Sequence, residues 1–118
     1  MRILVVEDEP LLAMMLEEYL AELGHELLGS AATAAQAFEF LDGDGPTPDL
    51  ALLDFSLGQD ANSLPVARRL RDLRVPFAYL TGHFSLDLEN GDPEAPIVTK
   101  PFNLADLDAA IRSLQVTV

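Results

Sequence analysis

The tetrapeptide Leu50-Ala51-Leu52-Leu53, closed on either side by Asp49 and Asp54, constrains the fold more than any other stretch of the chain. Four consecutive apolar residues leave no face for solvent. A strand here must be buried on both sides, as an interior strand is in a parallel sheet covered by helices. The flanking sequence supplies those helices. From Leu11 to Leu23 the residues Leu12, Met15, Leu16, Tyr19, Leu20 and Leu23 recur at three and four, with Pro10 suited to the first turn and Gly24 to the stop. Arg2 to Val6, ahead of it, reads as a short β-branched strand.

The rest of the chain repeats the pattern. His25 to Gly29 predicts a weaker second strand, and Thr33 is placed to cap a helix through Ala34, Ala37, Phe38 and Leu41 before the turn-rich stretch from Asp42 to Pro48. Ser63 is expected to cap a helix carrying Val66, Ala67, Leu70 and Leu73. Pro76 to Leu80 predicts a fourth strand and Ile97 to Thr99 a fifth. Leu104, Leu107, Ala110, Ile111 and Leu114 mark a last helix capped by Asn103. Regularity fails only between Gly82 and Pro96, where Gly82, Asn90, Gly91, Asp92, Pro93 and Pro96 leave Ser85 to Glu89 for any helix, so a short or mobile segment is expected.

Strands and helices thus alternate about five times, which implies a parallel sheet with helices on both faces and right-handed crossovers. The 118 residues suffice for one such domain. No apolar run is long enough to cross a membrane, and the acidic triplet Glu7-Asp8-Glu9 follows the first strand too closely for a signal peptide, so a cytoplasmic location is expected. The absence of cysteine excludes disulfides and thiolate-held zinc. A formal charge of −13, relieved only by the group Arg68, Arg69, Arg71 and Arg74, argues against direct binding to nucleic acid.

In a doubly wound sheet the functional crevice lies beyond the carboxyl ends of the strands. Glu7, Asp8 and Glu9 stand there after the first strand, Asp54 after the third, Thr81 after the fourth and Lys100 after the fifth. Each has an ordinary explanation alone: acids favour helix starts, Asp54 and Thr81 suit turns, and Lys100 suits a surface. Collected at successive strand ends of one sheet, they describe a site.

With these residues in place, the chain resembles the receiver domains of bacterial response regulators over essentially its whole length. The resemblance rests on Ile3-Leu4-Val5-Val6-Glu7-Asp8-Glu9, Asp49-Leu50-Ala51-Leu52-Leu53-Asp54, Tyr79-Leu80-Thr81-Gly82 and Val98-Thr99-Lys100-Pro101-Phe102. It implies an α/β, flavodoxin-like doubly wound (βα)5 sandwich of three layers, with sheet order 2-1-3-4-5 and a short or poorly ordered fourth helix. It implies a phosphoacceptor at Asp54 and Mg²⁺ held by Asp8, Asp54 and the backbone carbonyl of Ser56. Glu7 would act through water in the second shell, with Glu9 outside. Lys100 would pair with the acceptor and then with phosphoryl oxygens, Pro101 would match the family's cis-proline, and Thr81 would turn its hydroxyl toward the phosphoryl group.

Two departures stand out. Ile97 occupies the position where receivers commonly carry an aromatic switch residue. Pro76-Phe77-Ala78-Tyr79-Leu80-Thr81-Gly82-His83 is partly similar to the stand-alone "FAT GUY" subgroup, which is associated with a weakly formed fourth helix. Activation is therefore expected as an ordering of Gly82 to Pro96 without an aromatic rotor. Ser56 and His83 fall where the family tunes acyl-phosphate lifetime; His83 also reads as an ordinary loop histidine, and His25 as structural.

The resemblance implies a sensor histidine kinase or histidine phosphotransfer protein as donor, an unidentified downstream protein as partner, and a monomer or weak dimer with no membrane contact. The docking surface would be the fourth helix, fifth strand and last helix, including Phe102, Leu104 and Leu107 if these are not core. A phosphate-sink receiver, or a piece of a larger regulator, fits the same residues. A phosphatase with an aspartate nucleophile of the haloacid-dehalogenase type would want a second aspartate two residues after the first; Ser56 follows Asp54 and Pro10 follows Asp8. The reading is of a phosphoacceptor rather than an enzyme acting on other molecules.

Overall fold

The structure is a computed structural model, and it describes residues 1–54, 63–81, 96–100 and 102–116. The elements run β1 (Arg2–Val6), α1 (Pro10–Glu22), β2 (Glu26–Ala31), α2 (Ala34–Asp42), β3 (Leu50–Asp54), α3 (Leu64–Asp72), β4 (Phe77–Thr81), β5 (Ile97–Thr99) and α4 (Leu104–Val116). All five strands are parallel in the order β2-β1-β3-β4-β5. The helix expected within Ser85 to Glu89, and the ordering expected of Gly82 to Pro96, lie almost wholly outside the described residues.

Side-chain alternation divides the interior in two. Ile3 and Val5 of β1, Leu50 and Leu52 of β3, Ala78 and Leu80 of β4 and Val98 of β5 pack with Leu16 and Leu20 of α1 and with Leu107, Ala110 and Ile111 of α4. The intervening residues Leu4, Val6, Ala51, Leu53, Phe77 and Tyr79 meet Ala37 and Leu41 of α2 and Val66, Ala67 and Leu70 of α3 on the other face. Every residue of β3 is buried, as its apolar run requires. Removing one such leucine would leave a cavity that a close-packed interior fills poorly, at a cost of about 2–5 kcal/mol.

Helix ends follow local chemistry. After α1, Gly24 takes φ 87°, the Gly24 N–H donates to the Ala21 carbonyl at 3.0 Å and the His25 N–H to the Leu20 carbonyl at 2.8 Å. That is a Schellman end, for which glycine suits the left-handed residue. The same bonds close α3, from Arg74 to Arg71 at 3.0 Å and from Val75 to Leu70 at 2.8 Å, but here Arg74 adopts φ 60°. Thr33 accepts from the Gln36 N–H at 3.1 Å. Asn103 and Asp106 exchange side-chain and backbone bonds at 2.8 and 3.1 Å, a reciprocal N-terminal cap.

Three expectations need correction. Ser63 precedes α3 but makes no capping bond; its φ of −93° and ψ of 8° are not those of an extended cap residue, and its buried hydroxyl has no hydrogen-bond partner among the described residues. The second strand runs Glu26–Ala31 rather than from His25 to Gly29. Pairing with β1 overrides the weak strand preference of Gly29 and Ser30, and the lack of a Cβ at Gly29 lets the Phe40 ring lie against the strand. Phe102 and Leu107 are core residues and present no docking surface; Leu104 is half-buried.

Candidate functional site

Parallel pairing decides what meets at the carboxyl edge of the sheet. Val6 pairs with Leu53, so Glu7 and Asp54, the next residues along, arrive side by side where β1 and β3 end. The Glu7 N–H donates to the Ala31 carbonyl at 2.9 Å, which carries the β1–β2 pairing one residue past β1. Asp8 and Glu9 then lead into α1, and Glu9 holds an extended backbone as its N-terminal cap residue. The backbone of Thr81 closes β4 in register with Thr99, the residue before Lys100.

Glu7, Asp8 and Asp54 each offer a carboxylate oxygen, and these atoms lie within 4.8 Å of one another. Asp8 is exposed, whereas Glu7 and Asp54 retain only 3% and 6% of their accessible surface. Carboxylates this close repel, and a cation relieves them. Lys100, the single lysine of the chain, provides one: its Nζ donates to Glu7 Oε1 at 3.2 Å and lies 3.4 Å from Asp54 Oδ2. The other oxygen of Glu7 accepts from the Glu9 N–H at 3.2 Å.

Burial pushes the Glu7 carboxyl up to about 7, aided by a hydrogen bond with the Asp54 carboxyl and by its charge, and opposed by the Glu9 N–H and the Lys100 ammonium. A proton or a second cation therefore belongs in this cluster. Hard carboxylate oxygens, one of them solvent-facing on Asp8, suit a small divalent ion that keeps some of its waters, so the donor set fits Mg²⁺.

The structure thus brings Glu7, Asp8, Asp54 and Lys100 together, and places Ile97 half-buried on β5 beside Tyr79 of β4. The roles expected of Ser56, His83, Pro101 and the Thr81 side chain fall outside the described residues. His25 lies away from the cluster near Met1, its Nδ1 3.5 Å from the Met1 nitrogen. The contact that the sequence did not announce is the Glu7–Lys100 pair, which joins residues 93 positions apart. Among the described residues no helix is long and apolar enough to cross a membrane.

Comparison with known proteins agrees with this arrangement. A family model described as "Response regulator receiver domain" matches residues 3–112. The phyllosphere-induced regulator PhyR of Methylorubrum extorquens is 34% identical over 111 residues, which cover 92% of this chain and 41% of that protein. The transcriptional regulatory protein PdtaR of Mycobacterium tuberculosis is 33% identical over 117 residues, covering 93% and 54%. The chain therefore spans about half the length of the curated relatives it matches. A response regulator receiver protein from Sinorhizobium medicae superposes with a TM-score of 0.86 at 30% identity, covering 98% of this chain and 94% of that one. From the first strand into the last helix, the chain belongs to the response regulator receiver domain family.

Proposed function

We propose that the chain is a phosphorelay switch in which Asp54 accepts a phosphoryl group from a sensor histidine kinase or a histidine phosphotransfer protein in the cytoplasm. The observation that carries this reading is the setting of Asp54: a nearly buried carboxylate at a strand end, 3.4 Å from a lysine ammonium and beside two further carboxylates. In the transfer an Asp54 oxygen attacks phosphorus, the P–O bond forms as the donor's P–N bond breaks, and the departing imidazole nitrogen takes a proton from solvent.

Asp8, Asp54 and the backbone carbonyl of Ser56 would hold Mg²⁺, with Glu7 reaching it through water. When bound, the ion neutralises charge on the phosphoryl oxygens. Lys100 orients the carboxylate before transfer and pairs with the phosphoryl group afterwards, as a flexible point charge can. The Thr81 hydroxyl donates to the same group and couples its arrival to partner binding. Ile97 in place of an aromatic, together with the partial similarity to the FAT GUY subgroup, supports a readout without an aromatic rotor.

The test is intact-mass measurement after incubation with Mg²⁺ and phosphoramidate. A labile gain of one phosphoryl group that disappears in Asp54→Asn supports the reading; a gain that persists in Asp54→Asn overturns it.

A further inference from the structure

The Glu7 carboxyl has both oxygens engaged and a side chain with no solvent exposure: Oε1 accepts from Lys100 and Oε2 from the Glu9 N–H. That is the environment of a group turned inward. β1 and β5 are separated in the sheet by β3 and β4. At the usual spacing of about 4.8 Å between neighbouring strands, their ends lie about 14 Å apart. Contact at 3.2 Å is therefore made by two long side chains leaning toward each other over the end of β3, where Asp54 stands. Asp8, the next residue, faces solvent instead and is the carboxylate free to meet an entering cation.

We infer that Glu7 is a positioning residue that acts through Lys100: it fixes the ammonium over Asp54 by combining a negative charge with the reach of glutamate. Its effect on transfer rests on Asp54 being the acceptor, whereas the holding of Lys100 does not. The lysine stem has four rotatable bonds and many rotamers of similar energy, and a single contact to Asp54 at 3.4 Å would leave several of them open. The second, buried anchor selects one. When the acceptor changes from carboxylate to acyl phosphate, the Glu7 contact keeps the ammonium in place while its other partner is exchanged.

Two variants separate this role from one exerted through the metal. Glu7→Gln keeps the reach and removes the charge. Glu7→Asp keeps the charge, which a metal-bound water would still find, but shortens the side chain by one methylene. As Lys100 is the single lysine, its side-chain NMR signals are unambiguous. The full chain is measured in EDTA at pH 8, with a dispersed amide spectrum as the control for folding. In the wild type the two Hε protons of Lys100 are resolved, as expected for a held methylene, and in both variants they merge. Unchanged, resolved Hε signals in both variants overturn the inference.

The second arm follows phosphorylation by phosphoramidate as a function of Mg²⁺ concentration. Glu7→Asp is expected to keep its Mg²⁺ half-saturation within about threefold of wild type while the rate at saturating Mg²⁺ falls about tenfold, as misplacement of a reacting group would cause. A half-saturation raised about tenfold, with the full rate recovered at high Mg²⁺, would assign Glu7 to the metal and overturn the inference. If the wild type takes no phosphoryl group, the acceptor role of Asp54 fails, and the Hε signals still decide whether Glu7 holds Lys100.

Discussion

Raising the pH of the metal-free protein should weaken it, and replacing Glu7 with glutamine should remove most of that weakening. The cause is the proton that the folded state keeps. The Glu7 carboxyl holds it up to about pH 7 in the folded chain, against an ordinary value of 4.5 once the chain unfolds and water reaches it. Between these values the folded state binds more protons than the unfolded one. Its stability contribution is therefore complete below pH 4.5 and is lost as the pH rises through 7. The displacement corresponds to about 3 kcal/mol in full, of which about 2–3 kcal/mol falls between pH 5 and pH 8.

Glutamine mimics the protonated acid in shape and can still donate to Asp54, but it cannot lose a proton. Urea unfolding followed by circular dichroism in EDTA at pH 5, 6, 7 and 8 gives the comparison. The two proteins should be similar at pH 5, with Glu7→Gln more stable by about 2–3 kcal/mol at pH 8. Burial lowers the proton affinity of His25, which gives a slope of opposite sign, but that term is common to both proteins and cancels in the difference. Saturating Mg²⁺ should flatten the wild-type slope, because a cation beside the cluster favours the charged carboxylate. Parallel stability curves from pH 5 to 8 would refute the reasoning.

Three further substitutions test the local arguments by the same unfolding measurement. Arg74→Gly should stabilise the chain by up to about 1 kcal/mol, because a non-glycine residue at φ 60° costs about 1–2 kcal/mol and the added freedom of the unfolded glycine takes part of that back. Asn103→Ala should cost about 1 kcal/mol through loss of a reciprocal cap, whereas Ser63→Ala should be neutral or slightly stabilising, because its buried hydroxyl caps nothing. Leu52→Ala should cost about 2–5 kcal/mol, and a much smaller loss would mean that β3 is not the close-packed centre of the sheet.

What could be read from the sequence was what local chemistry decides. The run from Leu50 to Leu53 announced an interior strand because it has no polar face, and the spacing from Leu12 to Leu23 announced α1 because only one period fits it. Strand-end placement then gathered Glu7, Asp8, Asp54 and Lys100 before any coordinates were considered. What could not be read was decided by partners distant in sequence. β2 extends over Gly29 and Ser30 because β1 lies alongside, and the hydroxyl of Ser63 is buried instead of turning back on its helix. Phe102 is in the core because Tyr19 offers it an edge-on ring with centroids 6.4 Å apart. The sharing of Lys100 between Glu7 and Asp54 depends on how two side chains lean across intervening strands, which spacing along the chain does not encode.

The central claim is that Asp54 carries the phosphoryl group, and the most direct measurement is to locate it. After phosphorylation by phosphoramidate and Mg²⁺, reduction with borohydride converts an aspartyl phosphate to homoserine, and peptide mass spectrometry then reads its position. The account predicts homoserine at position 54 and at no other aspartate. Homoserine at a different aspartate, or a phosphoryl group retained on Ser56 or His83, would contradict it.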